Sequence, residues 1–258
     1  MSSSLSVNTF RPLYQIVPYS GNPITSNTTV TIPGTYVLVV AIGGGGAGGG
    51  TGSETCQAGN GGNTTVSNST QVIIAQGGEG GWAGNSSGSL AVCVGCTYGP
   101  GGAGGTGYVL NVQYYQIVNG ITGSYGGYRY GGPGSAISAG YNTAIRQVLS
   151  SAGLLFSSFV PIPSIPGTNS SVGSGYGAGG GGNSGYPNNG GGGGGSGAVV
   201  VALMQPGTFN ITVAPLNTQV TTCAGYTNPS YAYGMPGAVY LFQILPCNLN
   251  AVKFPKIS

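Results

Sequence analysis

Val30 and Ile32 alternate with Thr29 and Thr31, the period of two that a strand with one buried face requires. Past Pro33-Gly34 the pattern changes: residues 35–42 are almost wholly apolar, as in a strand covered on both faces. The same two patterns return later in reverse order. Residues 197–204 are nearly continuous apolar sequence, Gln205-Pro206-Gly207 interrupts them, and residues 208–213 alternate. Two short β-branched runs joined by Pro-Gly read as a hairpin, so each segment is expected to fold as one. Further strands are expected at 71–75, 90–94, 108–118 and 238–245, with Leu110, Val112, Tyr114 and Gln116 on one face of the third. One stretch has a helical period. After Asn142-Thr143, apolar side chains at Ile145, Val148, Leu149, Ala152, Phe156 and Phe159 fall on one helix face, and Pro161, Pro163 and Pro166 end it. That face is expected to dock on the protein's own core.

Glycine tracts separate these elements, at 43–52, 59–62, 77–84, 99–107, 123–134, 173–185 and 190–197. Of 258 residues, 55 are Gly and 16 Pro. Flexible tethers would have this composition. Tethers, however, need no β-branched strands at both ends, and Gly is also the one residue whose backbone can lie directly on another backbone. Extended Gly segments make no internal hydrogen bonds, so packed side by side they can satisfy one another. The tracts are therefore expected to be ordered, with Gly44, Gly45, Gly192 and Gly193 at points where backbones touch.

Charge narrows the chemistry. The chain has five Lys and Arg, two acids (Glu54 and Glu79), no Asp and no His. General acid–base catalysis draws on His or paired carboxylates, so an enzyme is not expected. Metal sites built from His and carboxylates are excluded, and neither a metal nor a cofactor is expected. Five scattered cations make no phosphate-binding stripe, so nucleic acid is not expected as a partner. The longest apolar runs are seven residues, too short for a membrane span, and no secretory signal pattern opens the chain. Cys93-Val-Gly-Cys96 is a C-x-x-C, but a loop-forming Thr-Tyr-Gly-Pro-Gly-Gly follows it, not a helix. Cys56, Cys93, Cys96, Cys223 and Cys247 are read as disulfide or inert thiols; five is odd, so at least one is free or paired between subunits. No Lys follows a Gly loop, so there is no P-loop, and the Asn-x-Ser/Thr sequons are no more than this composition produces by chance.

Tyrosine is the informative residue. There are 17, against six Phe and one Trp. Tyr125, Tyr128, Arg129 and Tyr130 lie within one Gly-rich run, and Tyr226, Tyr231 and Tyr233 in a second loop. Tyr among Gly, Ser and Asn is the composition of adaptable binding loops. Tyr beside Gly also packs on bare backbone, so both a surface-binding and a packing role are open.

The order of features resembles the glycine-rich domain of phage tail-fibre and other virion proteins. The residues that carry the resemblance begin with Thr29-Val-Thr-Ile-Pro-Gly-Thr-Tyr-Val-Leu-Val-Val-Ala-Ile-Gly-Gly-Gly-Gly. They continue with Gly61-Gly-Asn-Thr-Thr-Val, Ile74-Ala-Gln-Gly-Gly-Glu-Gly-Gly, the tract 190–195, and Met235-Pro-Gly-Ala-Val-Tyr. The segment 108–167 is an insert relative to that pattern. The expected fold is mostly β: a glycine-rich β-sandwich or jelly-roll-like domain with packed polyglycine II-type segments and one short helix. The expected organisation is an extended arm (1–26), a single domain (27–245) and a tail (246–258). The resemblance implies a structural protein in the virion, capsid-associated or part of a fibre or spike, with copies of itself and other virion proteins as partners. Two alternatives stand beside it: a receptor-binding adhesin at a fibre tip, reading a host surface glycan or protein, and a secreted glycine-rich surface or ice-binding protein.

Overall fold

The structure, a computed structural model, describes residues 14–34, 36–52, 57–85, 98–127, 130, 132–154, 164–165, 167, 173–183, 190–218 and 232–246. The strand expected at 90–94 and the helix positions Phe156 and Phe159 lie outside these residues. In chain order the elements are β1 (Tyr14–Pro18), β2 (Thr28–Ile32), β3 (Val37–Ile42), β4 (Thr51–Gly52), β5 (Thr64–Ser67), β6 (Val72–Ala75), β7 (Gly84–Asn85), β8 (Gly107–Leu110) and β9 (Tyr114–Val118). They are followed by α1 (Tyr141–Ser151), β10 (Ser164–Ile165), β11 (Ser174–Gly175), β12 (Val199–Met204), β13 (Gly207–Thr212) and β14 (Ala238–Pro246). The protein is mostly β, with two antiparallel five-stranded sheets in the orders β1-β14-β3-β12-β9 and β2-β13-β5-β6-β8. β4 with β7 and β10 with β11 form two-residue pairs.

The Pro-Gly turns do not close hairpins. Each carries the chain from one sheet to the other, so β2 and β3 face each other across the core, as do β12 and β13. The two mirror-image segments instead pair with one another, β2 on β13 and β3 on β12. Burial explains the outcome. A hairpin would leave β3 and β12 partly in solvent, yet all twelve of their residues are apolar and buried. Gly34 and Gly207, at φ +99° and +150°, turn the two arches. The single strand expected over 108–118 is likewise divided. Asn111, at φ 58°, takes the chain from β8 in one sheet to β9 in the other. Leu110 consequently stands exposed while Val112 is buried.

Three layers result. Val30, Phe209, Ile73, Val39, Val200 and Leu241 belong to the core between the sheets. On the other face of the first sheet, Leu38, Val40, Val201 and Tyr240 meet Ile145, Val148 and Leu149 of α1. The helix thus docks on its own core through the expected face. It stops at Ser151, earlier than the period suggested, because Gly153 adopts φ +74°. The amides of Gly153 and Leu154 then close on the carbonyls of Ser150 and Leu149, a Schellman cap.

The glycine tracts are continuations of the strands. β3 and β12 pair from Val37 with Met204 to Ile42 with Val199. The pairing runs on without slip as Gly43 with Ala198, Gly46 with Gly195 and Gly49 with Gly192. The β12–β9 ladder continues as Ser196 with Ile121 and Gly193 with Ser124, and the β6–β8 ladder as Gln76 with Thr106 and Glu79 with Ala103. What changes is direction. Facing sheets normally sit about 10 Å apart because side chains fill the gap. Without side chains they close on each other, and bonds cross between them: Gly44 N–H to Gly62 O at 3.0 Å, Gly78 N–H to Gly44 O at 2.9 Å, and Ala198 N–H to Gln76 O at 3.0 Å.

Candidate binding surface at the loop end of the glycine block

In tract 190–198 every amide donates, and its partners cycle with a period of three. Gly190, Gly193 and Ser196 bond Gly127, Ser124 and Ile121; Gly191, Gly194 and Gly197 bond Asn183, Gly180 and Gly177. Gly192, Gly195 and Ala198 bond Trp82, Glu79 and Gln76. Amides from three further segments reach its carbonyls: Gly99, Gly102 and Gly105; Gly132 and Ser135; and Gly43, Gly46 and Gly49. An extended chain with three residues per turn points successive amides about 120° apart, which gives this six-neighbour arrangement. The tract is buried throughout.

Three of the four glycines singled out above sit where no side chain fits. A Cβ on Gly45 would fall on the carbonyl of Ala178, on Gly192 on that of Pro100, and on Gly193 on that of Pro133. Gly44 differs. A Cβ there would lie 3.1 Å from the Ala214 methyl and 3.2 Å from the Gly62 nitrogen, tight but within reach of a small shift. Three residues on, in the same phase, the chain carries Ala47, fully buried. Backbones touch at Gly44 as well, through its bonds to Gly62 and Gly78, but the room left for a side chain differs with the phase of the tract.

The block has two ends. One passes into the sheets; at the other the ends of the tracts come together. Gly49 lies across from Gly192, Trp82 from Pro100, Gly126 from Gly99, and Asn183 from Gly191. Residues 52, 85, 98, 127, 183, 190 and 232, at the ends of the described segments, therefore share one end of the molecule. Tyr125 (70% exposed) and Tyr130 (67%) stand here, and Gly127 and Tyr130 exchange two backbone hydrogen bonds. Tyr128, Arg129, Tyr226 and Tyr231 lie outside the described residues, as do all five cysteines. Tyr233 is half-buried beside Gly234 and belongs to the packing of the block.

Sequence reasoning missed two aromatic members of this end. Tyr98 is exposed at the head of the tract that pairs with that of Tyr125, and Trp82 is exposed one tract further on. Trp82 closes a Gly-Gly-x repeat (77–82) whose third place, in Glu79 and Trp82 alike, points to solvent. That spacing was the available signal. A second ladder runs along the neighbouring tract. Gln57, Asn60 and Asn63 recur every third residue, and their amide side chains bond Gly80 O (3.2 Å), Gly80 N (2.9 Å) and Gly77 N (3.2 Å). They stand in for a further tract where the block ends.

Among the described residues, this end holds the exposed aromatic rings of Trp82, Tyr98, Tyr125 and Tyr130. Among the described residues no group of three or more His, Cys, Asp or Glu could hold a metal ion, and no helix is long and apolar enough to cross a membrane. At the opposite end a cleft of about 720 Å³ opens between Tyr14, Tyr36, Tyr114, Gln113, Leu154 and Ile244. Comparison with protein-family models, with curated proteins and with solved structures found no match.

Proposed function

We propose that this chain is a non-enzymatic structural protein of a virus particle, acting through contacts with copies of itself and with other particle proteins. The strand order carries the reading. Taken in chain order, β1, β2, β3, β5, β6, β12, β13 and β14 give sheets ordered 1-8-3-6 and 2-7-4-5. First pairs with eighth, second with seventh, third with sixth and fourth with fifth. This is a ribbon folded on itself into a β-sandwich, and we read it as a jelly roll with β8 and β9 added at one side. Polyglycine II-type packing extends the sandwich beyond its hydrophobic core. Jelly rolls serve in viral capsids and in lectins, and a fold alone does not choose between uses. The charge content does bear on the choice. At 3% Asp, Glu, Lys and Arg, the surface suits cover by neighbours, since interface cores are depleted in charge.

A second reading, attachment to a host surface glycan or protein, is favoured by the exposed Trp82, Tyr98, Tyr125 and Tyr130 at one end of the glycine block. Quantitative mass spectrometry and immunogold labelling of purified particles separate the two. Many copies per particle, labelled over its body, support the structural role. A few copies at a fibre tip, with attachment blocked by Trp82→Ala and Tyr125→Ala protein, support the second. Absence from particles overturns both.

A further inference from the structure

The two flanks of the sandwich are finished differently. On one, the edge strands are β1 and β2. That flank is closed by Pro18, Pro23 and Pro33 and by the side chain of Asn22, which bonds the Leu241 carbonyl at 2.6 Å and accepts its amide at 2.9 Å. Prolines and covering loops are the ordinary means of keeping a sheet edge from pairing with another chain. On the other flank the edge strands are β8 and β9, and neither contains a proline or a charge. Most of the large apolar side chains exposed among the described residues belong to these strands and to the tracts that lead into and out of them. Tyr108 (49%), Leu110 (44%), Tyr115 (44%) and Ile121 (47%) lie along it, with Tyr125 at its far end. Val72 and Ile74, half-buried on the adjacent strand β6, pair with Leu110 and Tyr108 and widen the strip.

We propose that this flank is the interface between two copies of the chain, joined about a twofold axis that sets β8 of one beside β8 of the other. Charge complementarity selects the partner. A strip without charge gives nothing to a charged surface and would strand that surface's ions unpaired, whereas an identical strip leaves no charge buried. Geometry agrees, because an antiparallel pair of identical strands is self-complementary and its axis is twofold without further condition. Residues 99–110 span roughly 38 Å at about 3.2 Å each, and with the adjoining tract the strip offers on the order of several hundred Å² per copy. That is the low end for specific interfaces, so dissociation in the micromolar range is expected. The proposal does not rest on the virion reading, since it concerns the isolated chain in solution.

Sedimentation of the purified full-length chain from about 1 to 100 μM tests it. The parent should pass from monomer to dimer. Leu110→Lys and Tyr108→Lys, which place a charge on an exposed position, should remain monomeric at the highest concentration, with melting temperatures close to the parent's. Leu216→Lys, equally exposed but elsewhere, should dimerise as the parent does. Should the β8 variants unfold, Ile121→Lys on the glycine tract supplies the same test. A monomeric parent at about 100 μM overturns the proposal, and so does a folded Leu110→Lys or Ile121→Lys that still dimerises.

Discussion

The amide of Gly46 donates to the carbonyl of Gly195 at 2.9 Å, in the register that Ile42 and Val199 hold four residues earlier in the β3–β12 ladder. A sheet thus becomes a glycine lattice without a break in pairing, and substitutions in one should be felt in the other.

Gly45→Ala and Gly193→Ala each drive a methyl into a carbonyl already held by hydrogen bonds. Each should cost about 3 kcal/mol, the upper end of overpacking penalties. Gly44→Ala should change stability by less than about 1 kcal/mol, because only a small shift is needed and the unfolded chain loses freedom. Denaturant midpoints of the three variants check this. Equal effects at positions 44 and 45 would mean that phase does not govern the packing.

Amide exchange gives an independent measure. A flexible glycine run exchanges at once, whereas the amides of Gly192, Gly193 and Gly194 are buried and bonded to Trp82, Ser124 and Gly180. They should open only with global unfolding, as the amides of β12 do. Protection at β12 without protection at 192–194 would sink the idea of a single cooperative unit.

Asn60→Ala and Asn63→Ala remove the side-chain oxygens that receive the Gly80 and Gly77 amides. Loss of about 1 kcal/mol is expected at position 60, where Gly80 is buried, and less at position 63, where water can replace the oxygen. A thermal melt of the two singles and the double should show near-additivity.

Tyr240 is buried beneath α1, with Tyr176 edge-on at 6.4 Å. Burial first, then the neighbouring Tyr176 and Tyr141, push its hydroxyl up to about 12 from 10.0. The folded protein therefore keeps this proton longer than the unfolded chain does. The associated stability is complete below pH 10 and falls away as pH rises from about 10 to about 12, by up to about 3 kcal/mol. Tyr240→Phe should show a shallower decline over that window in pH-dependent denaturation; an unchanged slope would place the alkaline sensitivity elsewhere.

Much of this architecture is written in residue spacing, though in a code different from strand periodicity. The alternation at Thr29–Ile32 and the apolar runs at β3 and β12 located strands correctly, because burial on one face or two leaves its mark on each residue. Their partners were misjudged. A Pro-Gly turn looks alike whether the chain returns within a sheet or crosses to a facing one, and only the need to cover both sides of β3 decides. In the tracts, the number of glycines in each group of three counts the directions in which backbone approaches. Residues 43–46 and 190–195 are all Gly and are enclosed, whereas 77–82 and 101–106 read Gly-Gly-x, with Glu79, Trp82, Ala103 and Thr106 facing water. Residues 120–126 keep Gly only at every third place and lie at the margin. The loop end was half visible. Tyr125 and Tyr130 stand out by composition, but bringing the tract ends together required the pairing register, which no local pattern contains.

The bonds that hold the block lie across its tracts rather than along them, as ladder bonds lie across strands. A pull applied to the loop end against the sheets would therefore load them side by side in shear, with no single bond at the front to fail before the rest. Tract 190–198 is gripped by six neighbours along its length, so drawing it out means breaking many contacts in one event. A body built this way carries tension like a laminate, and it resists being unravelled from its tip.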